Sequence, residues 1–310
     1  MDYELWTSVL IAIQRAAQRV GWHGGRRKPV YANWLIVAMY LWSVWHDRPL
    51  SWACHRSSYG FLFRPRRLPS ISQFTRRIKS DDCQRILQLV HDQFAQRGVM
   101  TNAVYIDGKP LVVSPVSKDR DAKRGKISGA FARGYKLHAA VNANRRIVVW
   151  SVMGLNEDEK TLARHVLLPL LPQLPPLSAD ALVMADSHYD SAPLHEEVSE
   201  PLGVWLMHPL RNQERAVGVF RARKLRQMPW SRRELVRLWE DHPELMRFIY
   251  KARQEIERVF GVLTCTAGGL ANLPAWVRHL DRVRRWVGVK IILYNARLHV
   301  RQQHQSLAAA

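Results

Sequence analysis

The sequence predicts an α/β fold, a mixed sheet flanked by helices and preceded by an all-helical N-terminal domain. Three observations lead there. Through residues 1–98 apolar side chains recur at helical spacing, with no strand pattern between them. From residue 103 the pattern changes to short apolar and alternating runs. After the third such run, helical and strand segments alternate, as they do where helices cover a sheet.

The elements follow in chain order. Leu5, Trp6, Val9, Leu10, Ile13, Ala17 and Val20 mark a first helix. Val30 to Trp45, interrupted by Asn33 and Ser43, is shorter than the ~18–20 residues of a membrane span and reads as a buried helix. After Pro69, Ser70–Lys79 offers a serine-capped helix carrying Gln73, Arg76, Arg77 and Lys79. That helix either reaches DNA or is a solvated basic face packing through Phe74 and Ile78. Ala103–Ile106, Lys136–Val141 and Ile147–Met153 are expected strands, the last two joined by the turn Asn142-Ala-Asn-Arg145. A helix over Glu159–Leu171 stops at Pro172, and Ala181–Ala185 is a buried strand. A helix near Pro193–Val198, a strand over Val204–Met207 and a basic, irregular insertion near 210–240 come next. Helices from Pro243 to about Leu263 and from Trp276 to about Val300 complete the chain. The expected domains are 1–98, helical and DNA-binding, and 99–302, catalytic, with 303–310 a frayed tail.

Charge narrows the function. The 310 residues carry 47 Lys and Arg against 26 Asp and Glu, a net +21. Residues 1–98 hold +9, 99–209 hold 0 and 210–310 hold +12. A neutral middle between basic flanks points to a chemical core bracketed by surfaces that grip phosphates, and it disfavours glycoside hydrolysis by paired carboxylates. Cys54, Cys83 and Cys265 are odd in number and lack any C-x-x-C pair, so neither a disulfide framework nor a zinc knuckle is indicated. The first residues lack the order of a signal peptide. A reducing cytoplasm and no membrane partner are expected.

Three acids stand out by position. Asp107 follows the first strand, Asp186 follows the Ala181–Ala185 strand and Glu257 lies mid-helix. In an open α/β sheet, sites form at the carboxyl ends of strands. An acid directly after an apolar strand is costly unless paired or bound to metal. Two such ends, with a helix laying a third carboxylate across them, make an all-oxygen pocket suited to two Mg²⁺ or Mn²⁺ ions. Such a pair activates the attacking oxygen and stabilises the leaving one in phosphoryl transfer. Each acid taken alone reads equally well as a loop start or helix end. Glu255 competes with Glu257, but Tyr250, Arg253 and Glu257 share one helical face while Glu255 is turned about 200° from Glu257.

These residues resemble the DDE transposases of bacterial insertion sequences. Asp107 in Ile-Asp-Gly matches the first family aspartate, and Ala185-Asp186-Ser-His-Tyr189-Asp190-Ser191 is similar to the segment holding the second. Gly134-Tyr135-Lys136-Leu137-His138 looks like the family's second strand, and Tyr250, Arg253 and Glu257 match its Y-x2-R-x3-E signature. The resemblance covers roughly residues 103–265. It implies a ribonuclease-H-like core, with Asp107, Asp186 and Glu257 as catalytic metal ligands. Tyr250, Arg253, Lys136, Arg76, Arg77 and Lys79 are the expected DNA contacts. It also implies double-stranded DNA as partner, both terminal repeats and target, a homodimer on paired ends, and a bacterial, nucleoid-associated location. Thr264 stands where the family has a basic residue seven after the glutamate. A nuclease or resolvase without joining, and a non-catalytic DNA-binding derivative, remain alternatives.

Overall fold

The computed structural model describes residues 3–21, 30–96, 101–127, 129–164, 177–210, 226–266, 269–270 and 272–309. The chain divides into two compact units, Met1–Ala95 with Leu263–Ala310 and Gln96–Val262. The division expected from the sequence differs at the C-terminal end, since it groups 263–302 with the sheet. The reason is the last helix, α10 (Leu280–Ala309): Val287, Val289, Ile291, Ile292, Leu293 and Ala296 are all buried, a spread around the helix that needs partners on every side. It finds them in the N-terminal helices α1 (Tyr3–Val20), α2 (Asn33–Trp45) and α4 (Asp81–Phe94).

In this helical unit α1 buries Leu5, Trp6, Val9, Ala12, Ile13, Ala16 and Val20, one face at helical spacing. α2 is buried from Ile36 to Trp45, as its nearly unbroken apolar run requires. Trp6 meets Trp42 edge-on at 5.1 Å and Phe63 at 5.2 Å. α3 (Ile71–Ile78) begins with a capping box in which the Ser70 hydroxyl accepts from Gln73 N and the Gln73 side chain accepts from Ser70 N. Among the described residues no helix is long and apolar enough to cross a membrane.

The second unit is built on a six-stranded mixed sheet. β1 (Thr101–Val112), β3 (Ala130–Asn142) and β4 (Ile147–Gly154) are antiparallel neighbours, and β5 (Leu177–Met184) and β6 (Trp205–Met207) add parallel to the other side of β1. Three antiparallel strands followed by two parallel ones separated by helices is the expected ribonuclease-H-like order. β2 (Lys123–Ile127) is additional. It forms a hairpin with the first half of β3 and shares the β4 edge of that strand. The Lys118–Lys136 stretch is therefore largely hairpin. Arg133 ties it down by donating to the carbonyls of Ala122 at 3.0 Å and Ser117 at 2.7 Å. The β3–β4 turn is closed as expected: Asn142 Oδ1 accepts from Asn144 N and Arg146 N, and Arg145 takes a left-handed φ of 61°.

Helices complete the unit. α5 (Glu159–Leu162) starts from the side-chain cap of Asp158, and the later part of the helix expected to Leu171 lies outside the described residues, as does 211–225 of the basic insertion. α6 runs from Ala192–Leu194 through a π-type turn, His195–Ser199, to Glu200–Leu202. α7 (Trp230–Asp241) and α8 (Pro243–Tyr250) lead to a 3₁₀ turn, Lys251–Arg253, and then α9 (Gln254–Cys265). The single helix expected from Pro243 to Leu263 is thus two helices, and the turn between them carries Arg253. Thr264 falls in the last turn of α9.

Candidate active site

The first aspartate is not at a strand end. β1 continues through Asp107 to Val112, because its pairing with β3 runs on from Asp107↔Ala139 to Val112↔Gly134. It is the parallel neighbour that stops: the last β1–β5 pair is Tyr105↔Met184. Asp107 therefore stands just beyond the carboxyl end of β5, on an edge of β1 that β5 no longer covers. Asp186 follows two residues after β5, where its carboxylate caps a short 3₁₀ turn by accepting from His188 N at 2.8 Å. His188 Nδ1 lies 3.1 Å from the other Asp186 oxygen, a hydrogen bond within the loop.

Alternation of side chains along β1 gives the site two faces. Asp107 and Lys109 point toward the segment containing α9. Arg253 donates to Asp107 Oδ2 at 2.9 Å, and Lys109 Nζ lies 5.9 Å from the Phe260 ring centre. Arg253 also donates to Glu257 Oε1 at 2.8 Å, so one guanidinium bridges two of the three expected ligands. Tyr250 donates its hydroxyl to the Ala185 carbonyl at 3.0 Å, which fixes the start of α9 beside Asp186. Glu255, as its helical position requires, points elsewhere and accepts from Arg145 Nε at 2.6 Å.

The opposite face belongs to Gly108, which pairs with His138. A side chain at Gly108 would come within 3.1–3.3 Å of Lys136, Glu159 and His138, so glycine is what lets these three close over the strand. Lys136 Nζ lies 2.8 Å from Glu159 Oε1. Ligand atoms of Glu159, Asp186 and His188 lie within 4.8 Å of one another. Asp107, Asp186 and Glu257 form no such group among the described residues. The Arg253 guanidinium links Asp107 and Glu257.

Electrostatics agree with a crowded acidic centre. Burial pushes the Asp107 carboxyl up to about 6, with Arg253 and the Gly108 N–H opposing and Asp186 and Glu159 adding to the rise. Burial likewise drives the Tyr189 hydroxyl well above its ordinary range, reinforced by Glu159, Asp107 and Asp186. His138 is fully buried and pulled down to about 3, first by burial and then by Lys136, so it is neutral at physiological pH. A cleft of about 820 Å³ opens over these groups. Asp107, Asp186 and Glu159 line it, as do Lys126, Lys136 and Lys160. Carboxylates with cations around them suit a phosphate approached through hard metal ions. The donor set is chiefly carboxylate oxygen, and Asp107 is both charged with difficulty and already in contact with a cationic side chain. The site fits divalent metal.

Of the other expected contacts, Lys136 lines the cleft, Arg76 is exposed on α3 and Lys79 is exposed just after it. Arg77 turns inward instead, donating to the Tyr31 carbonyl at 3.2 Å and to Asn33 Oδ1. Trp205 and Trp230 pack on each other at 5.4 Å. Glu159 was missed in the sequence. An acid in the first turn of a helix is ordinary, and no spacing links it to Asp186.

A mixed sheet with carboxylates gathered where its parallel strands end has the architecture of a phosphoryl-transfer enzyme of the ribonuclease-H-like class. The chain belongs to the DDE transposases: the family model described as transposase DDE domain matches residues 100–296, more than half of its length. Among solved structures it is similar to a piggyBac transposase synaptic complex with hairpin DNA determined by cryo-EM. The two share 12% identity at a TM-score of 0.47, over 98% of this chain and 74% of that one. No curated protein matches significantly.

Proposed function

We propose that this chain is a DNA transposase that cuts the ends of its own insertion sequence and joins them to target DNA, with Asp107, Asp186 and Glu257 holding two Mg²⁺ or Mn²⁺ ions. The observation that carries the reading is the placement of Asp107, a largely buried carboxyl just past the end of β5 that lines one cleft with Asp186 and Glu159, where burial raises its proton affinity. Such a group is costly when charged and becomes favourable beside a divalent cation. The ions, when bound, activate the attacking oxygen and stabilise the leaving one. Water is the attacking group in cutting and a DNA 3′-hydroxyl in joining.

The chain's own residues do the rest. Arg253 orients Asp107 and Glu257 and offers a planar fork for a phosphate. Tyr250 anchors that turn to the end of β5. Lys126 and Lys136 at the cleft supply charge for the DNA backbone. A homodimer would bring two ends together. One contact favours a second assignment of the third ligand: Glu159, not Glu257, converges with Asp186.

The test is a strand-transfer assay on paired linear element ends with Mg²⁺ or Mn²⁺. Joined product is expected. Cutting without joining would make the chain a nuclease or resolvase, and binding without cutting would make it a non-catalytic derivative.

A further inference from the structure

The helical unit contains a pocket of about 220 Å³ between α2, α3 and the start of α10. Arg48, Lys79, Arg282 and Arg285 line it, and no acidic side chain does. Among the described residues Arg48, Lys79 and Arg285 have no carboxylate partner, and Arg282 donates to a backbone carbonyl, that of Trp276, at 2.8 Å. The charges of Arg285 and Arg282 reach the buried Tyr40 hydroxyl on the pocket wall, lowering its proton affinity against the larger effect of burial. Four converging cations without a counter-charge are mutually repulsive, and an anion relieves that. The fifth feature is Trp276, 40% exposed, a large aromatic face left open at the pocket.

We propose that this pocket binds one unpaired nucleotide of DNA, its base stacked on Trp276 and its phosphate held by Arg48, Lys79, Arg282 and Arg285. The inference rests on the reading of the protein as DNA-acting. A phosphate accounts for the uncompensated charge, and a base accounts for the open tryptophan, since every base offers a π-face. The volume of about 220 Å³ lies below the roughly 300–1,000 Å³ of pockets that enclose drug-sized ligands, so the pocket takes part of one nucleotide and leaves the rest at its mouth. A duplex, with its bases stacked inside, cannot put one there without a strand end or an extruded residue. Lys79, just past the end of α3, then has a specific task.

The test uses the full chain with chelator present, so that no cleavage intervenes, and three fluorescent probes. They are a blunt duplex, the same duplex with a single-stranded extension of about four nucleotides, and that extension made abasic. The extension should tighten binding about tenfold, and the abasic version should lose that gain. Trp276→Ala should abolish the preference and leave blunt-duplex affinity unchanged, while Trp276→Phe should retain most of it. Lys79→Gln with Arg285→Gln should lower the salt dependence of extension binding by about 0.7 in log–log slope for each phosphate no longer held. Equal affinity for all three probes, or an abasic extension that binds as tightly as the intact one, would overturn the pocket's role and leave the transposase reading standing. A chain that binds none of the probes would overturn both.

Discussion

Glu159 and Glu257 flank the same strand from opposite faces and are held in opposite ways. Glu159 has a side chain 21% exposed, is ion-paired to Lys136 and converges with Asp186. Glu257 is 60% exposed and, among the described residues, reaches Asp107 through Arg253. A half-buried, paired carboxylate is well fixed but already committed to a partner. An exposed one is free to move but must give up side-chain entropy to be fixed. Glu159 and Lys136 shape one wall of the cleft, whereas Glu257 is held at the end of the Arg253 guanidinium.

The largest effects should come from the residues that both walls share. Asp107→Asn or Asp186→Asn should each reduce cleavage at least about a thousandfold, roughly 4 kcal/mol of barrier, with duplex affinity within about twofold. Cleavage near the wild-type rate in either variant would remove that residue from the site. Next, the two glutamates can be compared directly. Glu257→Gln should lower cleavage by about a hundredfold at any metal concentration, and Glu159→Gln by about tenfold, with much of the loss recovered at high Mg²⁺. The reverse order would make Glu159 the third ligand and Glu257 a partner of Arg253 alone.

That comparison was only half visible in the sequence. The placement of Asp186 just after a strand and of Glu257 on a helix was legible, because an apolar run and a helical face each mark a position. The position of Asp107 was read for a partly mistaken reason. Gly108, Lys109 and Pro110 break the apolar run, so β1 reads as ending at Ile106, yet its pairing with β3 carries it to Val112. Pro110 is tolerated because β1 has already lost β5 there and its second edge is open. Glu159 could not be found, since it reaches Asp186 through the pairing of strands distant in sequence, which leaves no local sign. The N-terminal helices were legible from their own periodicity, whereas the docking of α10 onto them depends on residues roughly 190 to 300 positions away in sequence.

A smaller effect separates the charge on Asp107 from its role in chemistry. Its carboxyl rises from the ordinary 3.8 to about 6 in the folded chain, so between those values the native state holds a proton that the unfolded state has released. Stability of the metal-free protein from this group is therefore fully present below about 4 and is lost as pH rises through about 6. The loss is about 1–3 kcal/mol, at roughly 1.4 kcal/mol per tenfold change in proton affinity. Mg²⁺ should do the opposite, raising the melting temperature by several degrees at saturating concentration, increasingly so above pH 6 where the proton no longer competes. Asp107→Asn should flatten both trends. Melting curves between pH 4 and 8, with and without Mg²⁺, would measure them, and a wild-type protein whose Mg²⁺ response ignores pH would remove Asp107 from the metal site.

The smallest expected effect is at Glu255, two residues from Glu257 and yet outside the comparison. Two residues along an α-helix turn the side chain by about 200°, so Glu255 cannot share the face of Glu257. It accepts from Arg145 Nε at 2.6 Å and pairs with Arg258 one turn on. Arg145 sits in the β3–β4 turn with a left-handed φ, so this pair ties the turn to α9 and does not reach the aspartates. Both arginines are more than half exposed, which places the pair in the range of surface ion pairs, about 0–1 kcal/mol. Glutamine keeps the shape and one acceptor oxygen. Glu255→Gln should therefore lower the melting temperature by no more than about 1–4 °C and leave cleavage within about twofold of wild type. Measured beside Glu257→Gln under the same conditions, equal damage at Glu255 would mean that α9 presents its other face to the metal ions and that Arg253 and Glu257 form only a structural pair.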